Sequence, residues 1–101
     1  MAATPEKKVK QACVDLLVKY GAWYFFPVTG GYGRSGVPDI VVCYKGRFLA
    51  VECKAGYNKP TALQEAEMAK IRKAGGETLV VREDTTSLLE SWLIRNAHGS
   101  D

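Results

Sequence analysis

Asp39, Glu52 and Lys54 are the residues of this 101-residue chain whose types and spacing could do chemistry. Asp39 closes the run Gly36-Val37-Pro38-Asp39, and Glu52-Cys53-Lys54 ends an apolar stretch a dozen residues later. Two carboxylates brought together offer hard oxygen ligands of the kind that hold Mg²⁺ with water and a substrate phosphate. A neighbouring ammonium can then position an attacking water or stabilise charge on a phosphorane-like transition state. The plain alternative is a hairpin end in which Lys54 neutralises Glu52 and Asp39 serves only as a turn residue.

What brings these groups together is a hairpin. Ile40 to Tyr44 and Arg47 to Lys54 are β-branched and aromatic runs separated by Lys45-Gly46, which reads as a two-residue turn between antiparallel strands. Pairing Tyr44 with Arg47 sets Cys43 opposite Phe48, Val41 opposite Ala50 and Asp39 opposite Glu52. Lys54 falls on the same face as Glu52. Like charges directly opposed destabilise a strand pair, so folding alone gives no reason for this arrangement, whereas a divalent cation does. A slip of one residue would break the pairing.

The rest of the chain must hold that hairpin. Thr4-Pro5-Glu6 is a helix start, and Val9, Cys13, Leu16, Leu17 and Tyr20 make one buried helical face that Gly21 ends. Glu6 lies at the edge of that face, either as a helix-dipole acid or within reach of the hairpin end. Ala22 to Val28 is aromatic and reads as a strand. Thr29 to Gly36 is a Gly-rich loop lacking the Walker pattern. Its Tyr32, Arg34 and Ser35, together with Lys59, are candidates to hold a nucleic-acid backbone, against the reading of a plain linker. A second helix runs from Pro60 or Thr61 to about Ala74, and places Gln64 just past the Lys54 strand end. There it is either a surface residue or one that touches a metal-bound water or a phosphate. Glu77 to Arg82 is a strand parallel to the Glu52 strand, reached by a helical crossover. Leu88, Leu89, Trp92 and Leu93 form the stripe of a last helix, serving as core or as a subunit contact. Both faces of the hairpin strands are apolar, so they should be central with helices on both sides, giving an α/β fold with a mixed sheet.

Composition is that of an ordinary soluble globular protein, 47% apolar and 25% charged, with a mild excess of fourteen basic over eleven acidic residues. That excess permits a polyanionic partner without demanding one. Cys13, Cys43 and Cys53 have neither zinc-site nor disulfide-framework spacing and read as small buried residues in a reducing cytoplasm. No stretch is long enough to span a membrane and no secretory signal is present. One domain over residues 1–101 is expected, with a core over about 5–83 and the last helix over about 85–97.

The set Gly36-x-Pro38-Asp39, Glu52-x-Lys54 and Thr61-x-x-Gln64, in α-β-β-β-α-β order and followed by Gly75-Gly76 and Val80-Val81-Arg82, resembles the PD-(D/E)XK nucleases. Among these it is most similar to the stand-alone VRR-NUC (virus-type replication-repair nuclease) domains. The resemblance runs from Glu6 to about Arg82. It implies a Mg²⁺- or Mn²⁺-dependent phosphodiesterase in which Asp39, Glu52 and the backbone carbonyl of Cys53 bind the metal. Lys54 would assist the water or the transition state, Gln64 would support the site, and Glu6 would join the metal or water shell. It also implies similarity to archaeal Holliday-junction resolvases, a homodimer acting on branched DNA in repair or recombination, and the cytoplasm of a bacterial or phage-infected cell. The Leu88 to Leu93 helix and the Trp23 to Phe26 run are the expected dimer surfaces. A non-catalytic DNA-binding module of the same fold, or a flap or restriction-type nuclease, is the alternative.

Overall fold

A computed structural model of the chain describes residues 4–28 and 35–99. The elements are α1 (Pro5–Tyr20), β1 (Trp23–Phe25), β2 (Ile40–Tyr44), β3 (Arg47–Cys53), α2 (Ala62–Lys73), β4 (Glu77–Val81) and α3 (Thr86–Arg95). They build a four-stranded mixed sheet in the order β1-β2-β3-β4, flanked by helices. Tyr32 and Arg34 lie outside the described residues.

The hairpin adopts the expected register, with Tyr44 paired to Arg47, Cys43 to Phe48, Val41 to Ala50 and Ile40 to Val51. Its turn carries positive φ at both loop residues, Lys45 at 53° and Gly46 at 82°, which is the twist a two-residue hairpin needs. β4 joins β3 in parallel, with Glu52 beside Val80 and Cys53 beside Val81. β1 is three residues long rather than the seven of Ala22 to Val28. Among the described residues it pairs only with β2, as an edge strand, and Pro27 beyond it has no N–H to donate.

One face of the sheet carries the core. Ile40, Val42, Tyr44, Leu49 and Val51 pack with Val9, Cys13 and Leu17 of α1 and with Leu89, Trp92 and Leu93 of α3. The stripe of α3 is therefore core rather than a subunit contact, and Leu88 and Ile94 are left on its exposed side. Trp92 is fixed further by donating from Nε1 to Glu77 Oε2 at 2.9 Å.

The second face departs from expectation. α2 crosses from β3 to β4 and covers that half, burying Ala50 and Glu52 and setting Arg72 Nη1 2.8 Å from Thr78 Oγ1. The β1–β2 half has no described helix over it. Trp23 is 60% exposed, Phe25 and Phe48 are also exposed, and Cys43 is exposed rather than buried. The hairpin strands are central, but among the described residues a helix covers their second face only on the β3–β4 side.

Candidate metal and nucleic-acid site

The acids sit at the end of the sheet where β2 begins and β3 and β4 finish, between the first turns of α1 and α2. Asp39 precedes β2 and its Oδ2 accepts a 2.7 Å hydrogen bond from the backbone N–H of Cys53. This bond continues the hairpin pairing past Ile40 and Val51 and fixes the Asp39 carboxylate against the last residues of β3. It also ties up the N–H of Cys53. A hydrogen bond with Cys13, together with burial, pushes the Cys53 thiol above its ordinary range, so the peptide and not the sulfur is the part of Cys53 suited to a cation.

Glu52 is 1% exposed, and burial is the largest cause pushing its carboxyl up to about 9, followed by the Asp39 carboxylate beside it. Lys54 pulls it down and Glu6 pushes it up. Gln64 Nε2 donates to Glu52 Oε1 at 3.1 Å, while Glu52 Oε2 is buried with no hydrogen-bond partner among the described residues. A buried acceptor left unpaired costs about 1–3 kcal/mol. Lys54, 8% exposed, extends β3 by donating its backbone N–H to Val81 O at 3.0 Å.

Gln64 does two things at once. Its Oε1 accepts from Thr61 N at 2.8 Å and Thr61 Oγ1 accepts from Gln64 N at 3.2 Å, a reciprocal capping box that starts α2. The other end of the same amide holds Glu52. The sequence leaves Gln64 as either a surface residue or one touching a metal-bound water or a phosphate; in the structure it is half-buried and holds the Glu52 carboxylate. Gly36 closes this part of the site from the other side. At φ +78°, it lies so close to α2 that a Cβ there would overlap the Leu63 carbonyl and sit 2.9 Å from Gln64 N. Only glycine lets the chain leading to Asp39 pass the first turn of α2.

Glu6, half-buried on the first turn of α1, lines a cavity of about 250 Å³ with Asp39, Cys53, Thr4, Lys7 and Lys10. The structure thus gathers Glu6, Asp39, Glu52, Lys54 and Gln64. Ser35 and Lys59 are both exposed, and no described contact draws either into the site. The link after Lys54 is pinned by two residues that sequence reasoning left unassigned. Glu83 Oε1 accepts from Gly56 N at 2.8 Å, and Arg82 Nη2 donates to Asn58 O at 2.8 Å. The polar run after β4 gave no local sign of either contact.

The donor set fits a divalent cation. Like charges held together at a buried strand end, with one carboxylate oxygen unpaired, are costly without a cation and satisfied by one. Among the described residues no three or more His, Cys, Asp or Glu side chains form an all-protein cage. Mg²⁺ does not need such a cage, because one or two carboxylates, with waters and substrate oxygens, are its usual ligands.

A solved VRR_NUC domain matches this architecture with a TM-score of 0.73 over 91% of this chain and 97% of its own, at 26% identity. The fold is that of a VRR-NUC nuclease domain. The VRR-NUC fold extends to Hjc, a Holliday junction resolvase of Archaeoglobus fulgidus, at a TM-score of 0.58 over 75% of this chain and 66% of that one; at 21% identity the likeness is one of fold. "Putative nuclease p44" of Acyrthosiphon pisum secondary endosymbiont phage 1 is 41% identical over 59 residues, 56% of this chain and 63% of that protein's length. No family model matches the chain.

Proposed function

We propose that the chain is a metal-dependent, structure-selective DNA endonuclease that hydrolyses phosphodiester bonds in branched DNA, with the four-way junction as its main substrate. The observation that carries this reading is Glu52, a buried carboxylate with one oxygen unpaired, set beside Asp39 and a nearly buried lysine. Similarity to a phage nuclease and to Hjc supports the choice of DNA and of a junction.

Asp39, Glu52 and the Cys53 carbonyl are the residues that would hold Mg²⁺ or Mn²⁺. The bound cation supplies Lewis-acid polarisation of the phosphate and a more acidic water. The chain's own groups do the rest. Gln64 keeps the Glu52 carboxylate turned toward Asp39, and Glu6 adds negative charge from α1 to accept a hydrogen bond from the attacking water. The Lys54 ammonium donates to that water or to a non-bridging phosphate oxygen as charge develops there. Burial strengthens each of these interactions by excluding bulk solvent.

Two cuts on opposite strands of a junction call for two such sites, and the chain is proposed to act as a homodimer in the cytoplasm of a bacterial or phage-infected cell. The open sheet face of Trp23, Phe25 and Phe48 is the surface suited to a second copy. Light scattering at micromolar concentration should give about twice the 11.1 kDa chain mass.

One panel tests the reading: four-way junction, flap, splayed arm and linear duplex, each with Mg²⁺, Mn²⁺ or EDTA. Paired symmetric cuts in the junction that vanish in EDTA are expected. Binding without cleavage under either metal would instead indicate a DNA-binding module, and equal cutting of linear duplex would remove structure selectivity.

A further inference from the structure

The cavity beside Asp39 does not end at the acids. Lys7 and Lys10, which line it, also line an adjoining cavity of about 510 Å³ together with Lys8, Gln11, Val14 and Phe26. Lys7, Lys10 and Val14 recur along one side of α1, next to the buried stripe of Val9, Cys13 and Leu17. β1 runs toward the acid end, since Phe25 pairs with Val41, so Phe26 lies just past β1 at the same end of the sheet as Asp39. Its ring is 44% exposed, and Lys10 Nζ sits 4.0 Å over the ring centroid.

We infer that this groove between α1 and the end of β1 is a binding site for a DNA strand next to the cleaved bond, with phosphates on Lys7 and Lys10 and an unstacked base on Phe26. The inference rests on the reading of the acid cluster as a nuclease centre and names the part of the substrate that this centre must admit. The acids Glu6 and Asp39 that line the cavity repel a phosphate, and cations at its rim offset that repulsion along the approach. An exposed aromatic flanked by lysines is the pairing that tracks a single strand, the lysines following the backbone and the ring stacking a base. In the free protein the Lys10 ammonium covers the ring. A cation–π contact at an exposed site is weaker than a base–aromatic stack, so the base takes the ring and the ammonium moves to a phosphate. A base can reach Phe26 only where pairing is broken, which makes the groove a source of preference for branch points over intact duplex.

The test is fluorescence anisotropy in EDTA, where a metal-dependent enzyme does not cut. A labelled splayed arm and a linear duplex are titrated at several KCl concentrations with wild type, Lys7→Gln/Lys10→Gln, Phe26→Leu, Phe26→Trp and a control, Lys73→Gln, at the far end of α2. The double lysine variant should lose about tenfold or more in affinity. Its slope of log K against log salt should fall by about 1.4 to 1.8, the contribution of two phosphate contacts. Phe26→Leu should lose about tenfold on the splayed arm and little on duplex, and Phe26→Trp should retain wild-type binding. Unchanged slopes, an equal loss in Lys73→Gln, or equal effects of Phe26→Leu on both DNAs overturn the inference. Wild-type cleavage with Mg²⁺ or Mn²⁺ is scored separately: bound but uncut DNA removes the nuclease reading, while the groove stands or falls on the binding data.

Discussion

The two ends of the β2–β3 hairpin obey different rules. At the turn end, Lys45 and Gly46 are exposed, their positive φ angles suit the strand twist, and the ammonium of Lys45 lies near the face of Tyr44. One polar atom there is unpaired, Arg47 Nε, but a guanidinium has four further N–H groups to hydrate. At the other end Glu52 and Lys54 are buried, two acids face each other, and a carboxylate oxygen has no partner among the described residues. The backbone ladder runs from Tyr44–Arg47 to Ile40–Val51, and the Asp39 carboxylate takes over from it at the acid end. The difference lies in side chains that cost stability at one end and not at the other, which is the reason the acid end is proposed as the site.

The largest effect should come from breaking the acid end alone. Asp39→Asn keeps an oxygen for the Cys53 N–H, and with Lys54→Ala it should lower Mg²⁺-dependent junction cleavage by about a hundredfold or more, the scale of losing one transition-state contact. Lys45→Gln at the turn end should cut at the wild-type rate. Equal rates for all three in a cleavage time course would erase the distinction between the ends.

The next effect is on the support of that end. Gly36→Ala should destabilise the fold by about 2–4 kcal/mol, combining a left-handed backbone penalty with overlap onto the first turn of α2. Chemical denaturation would read it. A loss below about 0.5 kcal/mol would mean that Gly36 is not pressed against Leu63 and Gln64.

A pH-dependent effect follows from Glu52. Its folded carboxyl is raised to about 9 from an ordinary 4.5, so between these values the unfolded chain has released a proton that the metal-free folded chain keeps. The Glu52 contribution to metal-free stability is therefore greatest below about pH 4.5 and falls as pH rises toward 9, by at most about 1.4 kcal/mol per pH unit. Glu52→Gln should flatten that decline in thermal melts taken in EDTA at pH 5 to 8. A wild-type profile already flat over that range would show that Glu52 is ionised in the folded state.

The smallest effect belongs to the turn. Lys45→Asn suits φ 53° better than lysine and should stabilise the hairpin by about 0.5–1 kcal/mol, leaving cleavage unchanged.

The hairpin and its register were legible because a two-residue turn and period-2 alternation leave little freedom, and Asp39, Glu52 and Lys54 follow from that count. The family resemblance then pointed to Gln64 and Glu6. What Gln64 touches was not legible, because the capping box and the Glu52 contact both depend on how α2 is set against β3. Apolar residues on both strand faces suggested full cover, yet a helix that joins β3 to β4 lies over those strands and leaves Cys43, Phe48 and Trp23 open. The groove of Lys7, Lys10 and Phe26 was hidden for a related reason. Lysines at helical spacing look like any solvated face until β1 is seen to end beside them.

The Asp39–Glu52 end is proposed to hold a divalent cation. Calorimetric titration of the protein with Mn²⁺ at pH 7.5, repeated in two buffers of different ionisation heat, addresses it directly. Binding accompanied by release of about one proton is expected, since Glu52 must ionise to become a ligand, together with loss of that binding in Asp39→Asn. Equal Mn²⁺ binding by wild type and Asp39→Asn, or no binding at millimolar metal, would contradict it.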